Sequence, residues 1–211
     1  LYRLVGSEMC IRDRYMATGW VIDHPAHARL LAPLMRELSS VDDVIIACDR
    51  VEVRSMIEYC DGHLPRRKTV WVPRPVGKGR WKKAWKRSRA SKKALKNVSK
   101  VVSIGAPLEL RVAPRKAKKI YITDTEVNHL AHRLATPTDV IIPKHFIDSL
   151  AGPLMKKKCK FHRIDGLHGH VHLQPHMRPS SISNPPKIMV RRLQGDGIHD
   201  SDEILSIPED W

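Results

Sequence analysis

A carboxylate and two imidazoles stand close together in the segment Asp23-His24-Pro25-Ala26-His27. An imidazole near its ordinary pKa can accept a proton from a hydroxyl group at neutral pH, and so can a suitably placed carboxylate. The apolar residues 20–22 precede this segment, and apolar residues at helical spacing follow it over 30–38. The pattern predicts a buried strand, a polar turn and an amphipathic helix. The three side chains would then lie at a helix N-terminus, where anions bind well.

Four more predicted strands end in small or polar residues. These residues are Gly105-Ala106-Pro107, Asp124-Thr125-Glu126, Lys144-His145 and Asp165-Gly166-Leu167-His168. Carboxyl ends of parallel strands share one edge of a sheet, so the residues are expected to form an active-site rim there with the first segment. Each also has a structural explanation, since Asp124 or Thr125 could cap a helix and Asp23 could order its own turn.

Strands and helices alternate along the chain. The predicted strands are 20–22, 43–47, 69–72, 100–104, 120–123, 139–142 and 160–164. The predicted helices are 28–38, 51–59, 80–97, 108–117, 127–134 and 146–154. Because parallel strands need crossover connections, this order predicts a doubly wound parallel α/β sheet with helices on both faces.

The composition suggests one such domain and the beginning of another. Residues 1–15 read as a non-native leader before Met16, with one net positive charge, so without them the net charge of +16 becomes +15. Residues 16–173 form the predicted α/β domain, and the Pro- and Ser-rich residues 174–186 form a linker. Residues 187–211 would begin a second α/β domain that is truncated, because so short a segment cannot bury a core.

Four widely spaced cysteines, Cys10, Cys48, Cys60 and Cys159, contain no CxxC pair. They predict reduced thiols in a cytoplasmic protein rather than a disulfide framework or a zinc site. No apolar run is long enough to predict a transmembrane helix. Alternating imidazoles at His168, His170 and His172 could face the same way and bind Zn²⁺. The sequence offers no convincing fourth ligand, so no metal site is predicted.

The positive charge is concentrated between Arg66 and Lys100, and no acidic residue occurs between Asp61 and Glu109. The segment also has helical order, with Trp81, Trp85, Ser88 and Leu95 near one stripe. One interpretation is a surface for nucleic acid or anionic lipid. The other is a solvated helix whose aromatic stripe packs on the sheet while lysine stems cover apolar surface. A basic patch facing an anionic glycan or phospholipid acceptor lies between the two.

Several segments resemble, in the same order, family 354 of the prokaryotic domains of unknown function. They are WVIDHPAHARLLAPLMREL, YITDTEVNHLAHRLATPTDVIIPKHF, RIDGLHGHVHLQP and VRRLQGDGIHD, within residues 20–200. The most specific parts are the DHPAH turn, the TDTE segment and the final HD pair. The run of Gly169, His170 and His172 and the strongly charged basic helix depart from the family pattern.

The resemblance implies a glycosyltransferase-B-type fold related to UDP-N-acetylglucosamine 2-epimerases, with two Rossmann-like domains facing across a cleft. This chain would supply the N-terminal, acceptor-side half and be inactive alone. His27 or Asp23 would be the general base of a glycosyl transfer, and Asp124 or Glu126 would handle a proton in an epimerase. The remaining candidates would bind substrate, with His199 and Asp200 reaching over from the second domain. They are His24, Gly105, Thr125, His145, Asp165, His168, His199 and Asp200.

The implied partners are a nucleotide-sugar donor, held mostly by the second domain, and a sugar or anionic acceptor. No nicotinamide, metal or other cofactor is required. Two alternatives remain open at this stage. One is a basic nucleic-acid-binding module that uses the stretch from Arg66 to Lys100. The other is a non-catalytic sugar-binding protein.

Overall fold

The computed structural model describes residues 17–38, 40–60 and 68–166. By their contacts, residues divide into two units, Leu1–Pro175 and His176–Trp211, and every described residue belongs to the first. The predicted leader, the linker, the second domain and the candidates His168, His199 and Asp200 lie outside the described residues, as does the run of alternating imidazoles.

Seven strands and six α-helices alternate along the described chain. The strands are β1 Thr18–Ile22, β2 Val44–Cys48, β3 Lys68–Val72, β4 Lys100–Ile104, β5 Lys118–Ile122, β6 Asp139–Pro143 and β7 Lys160–Ile164. The helices are α1 Pro25–Leu38, α2 Val51–Cys60, α3 Arg80–Ala94, α4 Pro107–Val112, α5 His129–Leu134 and α6 Gly152–Met155. A 3₁₀ turn, Asp148–Ala151, leads into α6.

The strands form one sheet in the order β3-β2-β1-β4-β5-β6-β7, and every neighbouring pair is parallel. The predicted α/β fold, a Rossmann-like doubly wound sheet, is therefore confirmed. The chain builds outward from β1 to β3 and then returns to place β4 on the other side of β1. That reversal creates a switch point between the carboxyl ends of β1 and β4, where sheets of this kind bind ligands.

Two apolar layers hold the helices on the sheet. Alternate residues of a strand point to opposite faces, so β1 supplies Trp20 and Ile22 to one layer and Val21 to the other. Helices α1 and α2 cover the first layer. Helices α3 and α4 cover the second, through Leu95, just after α3, and Leu110. Burial on both faces explains why the central strands are almost wholly apolar.

Helix bounds differ from the sequence prediction by a few residues in several places, and in three of them the difference is a change of local structure. Helix α4 ends at Val112 instead of continuing to 117, because Ala113 precedes Pro114 and takes an extended conformation. The segment 146–154 is split into a 3₁₀ turn and a short helix. Helix α5 begins at His129, where the side chain of Asn128 accepts a hydrogen bond from the Ala131 amide at 3.4 Å. The suggestion that Asp124 or Thr125 caps this helix was therefore wrong.

No helix in the described ranges is long and apolar enough to cross a membrane. The described cysteines, Cys48, Cys60 and Cys159, are free thiols.

Close approach of α3 to the sheet predicts that Gly19 cannot be enlarged without loss of stability. A Cβ at Gly19 would overlap Cδ2 of Leu95, whose side chain is fully buried. Gly19→Ala should lower the free energy of unfolding by about 1–3 kcal/mol, the usual cost of overpacking, measured by urea denaturation. Gly152→Ala is the control, because its Cβ would meet nothing within 4 Å in a helical conformation. Equal stability of the two variants would contradict the packing argument.

Candidate functional site

The switch point brings together two of the predicted segments. Asp23, His24 and His27 follow β1, and Gly105 follows β4, its direct neighbour in the sheet. Gly105 has a φ of +60°, a conformation that favours glycine, and a Cβ there would meet nothing within 4 Å. The turn at Gly105, beside residues 23–27, therefore has no side chain, and this leaves room for a ligand.

A buried cation from the basic helix reaches this point. The Arg87 side chain is only 2% exposed, and its Nη1 donates to Oδ1 of Asp23 at 2.7 Å. Its Nε and Nη2 donate to the two carboxylate oxygens of Glu109 at 2.7 and 3.1 Å. Such a two-pronged contact fixes the plane of the guanidinium. Arg87 therefore joins α3, α4 and the end of β1 in one rigid arrangement, which we call the Arg87 triad (Asp23, Arg87 and Glu109).

Hydrogen bonds satisfy the buried end of the triad. Glu109 is fully buried and also accepts from the Ser91 hydroxyl at 3.1 Å. Ser91 lies one turn after Arg87 on α3, so both side chains face α4. A buried carboxylate is tolerated only when it is paired and hydrogen-bonded in this way. The charged groups of α3 that face the core are thus part of the packing.

The triad carries two negative charges and one positive charge. The net negative charge lies at its Asp23 end, next to the switch point. The Asp23 side chain is 32% exposed, unlike its two partners. Burial alone would raise the pKa of Asp23, but the Arg87 charge and hydrogen bond, with His27 and Cys48, bring this pKa below its usual value. Burial, with help from Asp23, raises the pKa of the Cys48 thiol to about 11. Asp23 is therefore an ionised, oriented carboxylate beside a neutral thiol.

The backbone fixes the tautomers of the two histidines. The Asp23 amide donates to Nδ1 of His27, and the Ala26 amide donates to Nδ1 of His24, each at 3.3 Å. A ring nitrogen that accepts a hydrogen bond has no proton, so a neutral ring carries its proton on Nε2. Both histidines therefore present Nε2–H donors. For His27 to act as a base, the proton would have to reach Nδ1, the atom that now accepts the Asp23 amide.

Two arginines surround His24. Partial burial lowers the pKa of His24, and the charges of Arg50 and Arg74 lower it further. Arg50 follows β2 and Arg74 follows β3, so both lie at the carboxyl edge. The imidazole of His24, whose lowered pKa favours the neutral form, and these permanent cations together suit an anionic group such as a phosphate.

The TDTE segment is held by hydrogen bonds of its own. Thr123 accepts from the Thr125 amide at 3.3 Å, and Oε1 of Glu126 accepts from the Ile147 amide at 3.2 Å. Asp124 is exposed and accepts from the Thr125 hydroxyl at 3.2 Å. Because β5 is the second strand from β1, the segment stands about 10 Å along the edge from Asp23.

A buried histidine supports the same segment. His132 is fully buried, and its Nε2 donates to the Thr125 carbonyl at 2.9 Å, so its Nδ1 is left to accept from the Tyr121 hydroxyl at 3.4 Å. Burial lowers the pKa of His132 and raises that of Tyr121. The arrangement depends on a neutral His132, since a protonated ring could not accept at Nδ1.

The remaining predicted residues lie farther along the edge. Lys144 and Asp165 form an exposed ion pair at 2.8 Å, next to the exposed His145. Their strands are the third and fourth from β1, which puts them about 14 and 19 Å from the switch point. The predicted residues thus share one edge, as expected, but only the first segment and Gly105 lie at its centre. Among the residues described, no group of three or more His, Cys, Asp or Glu is placed to hold a metal ion.

The basic helix differs from its predicted packing. The buried stripe contains Arg87 and Ser91, which contact Glu109 on α4, and Leu95, which lies against β1, whereas Trp81 is 79% exposed and Trp85 is 60% exposed. The prediction that an aromatic stripe packs on the sheet was therefore wrong for both tryptophans. Leu95, just after α3, lies so close to β1 that a Cβ at Gly19 would overlap its side chain.

Sequence reasoning missed six residues of this region: Cys48, Arg50, Arg74, Arg87, Glu109 and His132. Arg87 was one of fifteen cations between Arg66 and Lys100. One feature of the sequence pointed to the partner of Arg87. Glu109 is the first acidic residue after that long basic stretch, and it lies just beyond Gly105. The separation of 22 positions between them gave no indication of contact.

Comparisons with known proteins give no match: no protein-family model matches the chain, and neither does any curated protein sequence. The resemblance stated above therefore stays a prediction.

Removing the buried cation should destabilise the protein strongly. Arg87→Met leaves the Glu109 carboxylate buried without its partner, which should cost about 3–5 kcal/mol in the free energy of unfolding. Replacing both Arg87 and Glu109 by methionine should recover much of that loss, because the fully buried carboxylate is removed together with its partner. Arg89→Met makes the same change on the exposed side of α3 and should stay within about 0.5 kcal/mol of the parent. Urea denaturation measures all three, and an unaffected Arg87→Met protein would refute the triad's structural role.

The buried His132 predicts a loss of stability in mild acid. Its pKa is lower in the folded chain than in the unfolded chain, so the unfolded state binds the proton first as the pH falls below about 6.5. The free energy of unfolding should then fall, by up to about 1.4 kcal/mol per pH unit for this group. Asp23 acts only at lower pH, because its pKa is lowered from an already acidic value.

Urea denaturation of His132→Gln between about pH 7 and pH 5 tests this expectation. The variant should have a shallower pH dependence than the parent. His145→Gln, an exposed histidine at the same edge, is the control and should keep the parent's slope. A parental slope in His132→Gln would contradict the expectation.

Proposed function

We propose that the described residues form the acceptor-side half of a nucleotide-sugar-dependent glycosyltransferase or a related sugar epimerase. The observation that carries the proposal is the Asp23 carboxylate, held at the switch point by Arg87 with two Nε2–H donors beside it. A base that faces a bare glycine turn and lies among anion-binding groups suits transfer of a sugar from a diphosphate. The resemblance of the sequence supports the same class and assigns most donor contacts to a second domain.

In a glycosyl transfer, Asp23 would accept the proton of the acceptor hydroxyl. As that oxygen bonds to the anomeric carbon of the donor, the bond from this carbon to the diphosphate oxygen breaks. The lowered pKa makes Asp23 a weak base in the resting state, so proton transfer accompanies bond formation. The contacts favour Asp23 over His27 as the base, because the unprotonated nitrogen of His27 is already occupied by the Asp23 amide.

The leaving diphosphate would gain negative charge, and this charge needs partners. The edge offers the Nε2–H group of His24 and the guanidinium groups of Arg50 and Arg74, and Arg50 is also paired with Glu52 at 3.3 Å. Groups already in place when charge develops stabilise a transition state more than groups that must reorganise. In an epimerase, Asp124 or Glu126 would instead handle a proton on the sugar, about 10 Å from Asp23.

Replacing Asp23 by asparagine separates its chemical role from its structural one. The asparagine side-chain oxygen can still accept from Arg87, so the fold and donor binding should persist. Turnover should fall by about 10²–10⁴-fold, the usual contribution of a general base. Asp42→Asn is the control, since Asp42 is exposed in the turn before β2, at the opposite edge of the sheet.

The assay offers UDP-, GDP- and dTDP-sugars to a full-length homologue that keeps Asp23, Arg87 and Glu109. Binding is measured by calorimetry, and turnover by release of the nucleotide. Binding without turnover would identify the non-catalytic sugar-binding alternative. No binding and no turnover with any of the donors would overturn the proposal. Full activity of the Asp23→Asn protein would remove Asp23 as the base.

A further inference from the structure

The solvent side of α3 carries two tryptophans among cations. Trp81 and Trp85 are one turn apart, so their indoles lie side by side on one face of the helix. Exposed cations surround them: Lys82, Lys86, Arg89, Lys92 and Lys93. We call these seven residues the α3 outer face. Folding does not require its apolar part, because the opposite side of α3 supplies the contacts with the sheet.

Within the described residues, no acidic neighbour forms an ion pair with the cations of this face. In the described part of the chain, the only residue of α3 that forms an ion pair is Arg87, on the inner side. Arg80 lies 5.5 Å from the ring centre of Trp81, and Arg89 lies 5.4 Å from that of Trp85. These contacts hold further positive charge against the indoles. The indoles of Trp81 and Trp85 thus form an apolar pair surrounded by cations. Val76, just before the helix, is also 45% exposed.

We propose that the α3 outer face docks on the surface of an anionic phospholipid bilayer. Indoles favour the headgroup region of a bilayer, because one end of the ring system is apolar and the other carries a hydrogen-bond donor. Lysines and arginines next to them are attracted to the negative charge of the lipid phosphates. The combination of apolar anchors and cations on one helix face is the pattern of helices that lie on membranes.

The shape of the face favours a bilayer over a nucleic acid. Proteins hold a single strand in a positively charged groove with aromatic side chains along it. Here the indoles stand on the convex outer side of a helix, which suits a broad surface. An arginine already covers part of each indole, in the place where a base would stack. The inference is independent of the proposed sugar chemistry, because neither tryptophan belongs to the switch point.

Flotation of the 211-residue chain with lipid vesicles tests the inference. The chain should float with vesicles that contain phosphatidylglycerol and remain unbound with vesicles of phosphatidylcholine alone. Trp81→Ala with Trp85→Ala should weaken binding about tenfold or more, because the apolar anchors are lost. Lys82→Gln with Lys86→Gln should weaken it by removing charge. All four residues are exposed, so the urea midpoint of each variant should match that of the parent.

The matched control removes exposed apolar surface elsewhere. Tyr59 on α2 is 80% exposed and Leu130 on α5 is 69% exposed, and replacing both by alanine should leave vesicle binding unchanged. Tryptophan emission gives a second readout: it should shift to shorter wavelength with anionic vesicles in the parent and not in the tryptophan double variant. Absence of binding to anionic vesicles, or undiminished binding of that variant, would overturn the inference. Retention on single-stranded DNA that depends on both tryptophans, without vesicle binding, would assign the face to nucleic acid instead.

Discussion

A buried guanidinium group ties together three parts of this molecule that are far apart in sequence. Arg87 lies on a crossover helix, Glu109 lies in the first turn of the next helix, and Asp23 directly follows the first strand. Bringing these charges out of water is costly, and the cost is recovered only if all donors and acceptors meet with good geometry. The arrangement therefore allows little variation in how α3 and α4 sit on the sheet. The position of Asp23 at the switch point follows from the same contacts, so scaffold and site share one interaction.

The order of strands and helices could be predicted from the sequence. Each central strand is a short apolar run, and apolar residues recur at helical spacing in the connections between strands. The bounds of β4 and β7 were predicted to the residue, since polar or turn-forming residues flank both strands. Helix ends that depend on one local contact were harder to place. The start of α5 depends on the Asn128 side chain, and the end of α4 depends on the conformation of Ala113 before a proline. Neither effect changes the periodicity of apolar residues.

The packing of α3 was misjudged for a physical reason. One of the two interpretations of this helix placed its aromatic stripe against the sheet, with the charged residues on the rest of the helix. The core instead accepts one arginine, because the carboxylates of Asp23 and Glu109 accept its hydrogen bonds and the Ser91 hydroxyl also donates to Glu109. Sequence reasoning could find the site residues that directly follow predicted strands, such as Asp23 and Gly105, because ligands bind at the carboxyl ends of such strands. The supporting residues could not be found in this way, because pairing between positions 87 and 109 is a property of the folded chain.

The two sides of α3 differ in their access to dissolved ions. Mobile ions screen charges exposed to water over a distance of about 8 Å at physiological ionic strength. They do not enter the interior, where the inner guanidinium meets its two carboxylates. Added salt should consequently weaken attraction at the outer cations while leaving the fold and the strand edge intact. Helix α3 thus combines the buried charge of Arg87, which salt does not screen, with exposed charges that salt does screen. A change of ionic strength therefore acts selectively on the outside of the protein.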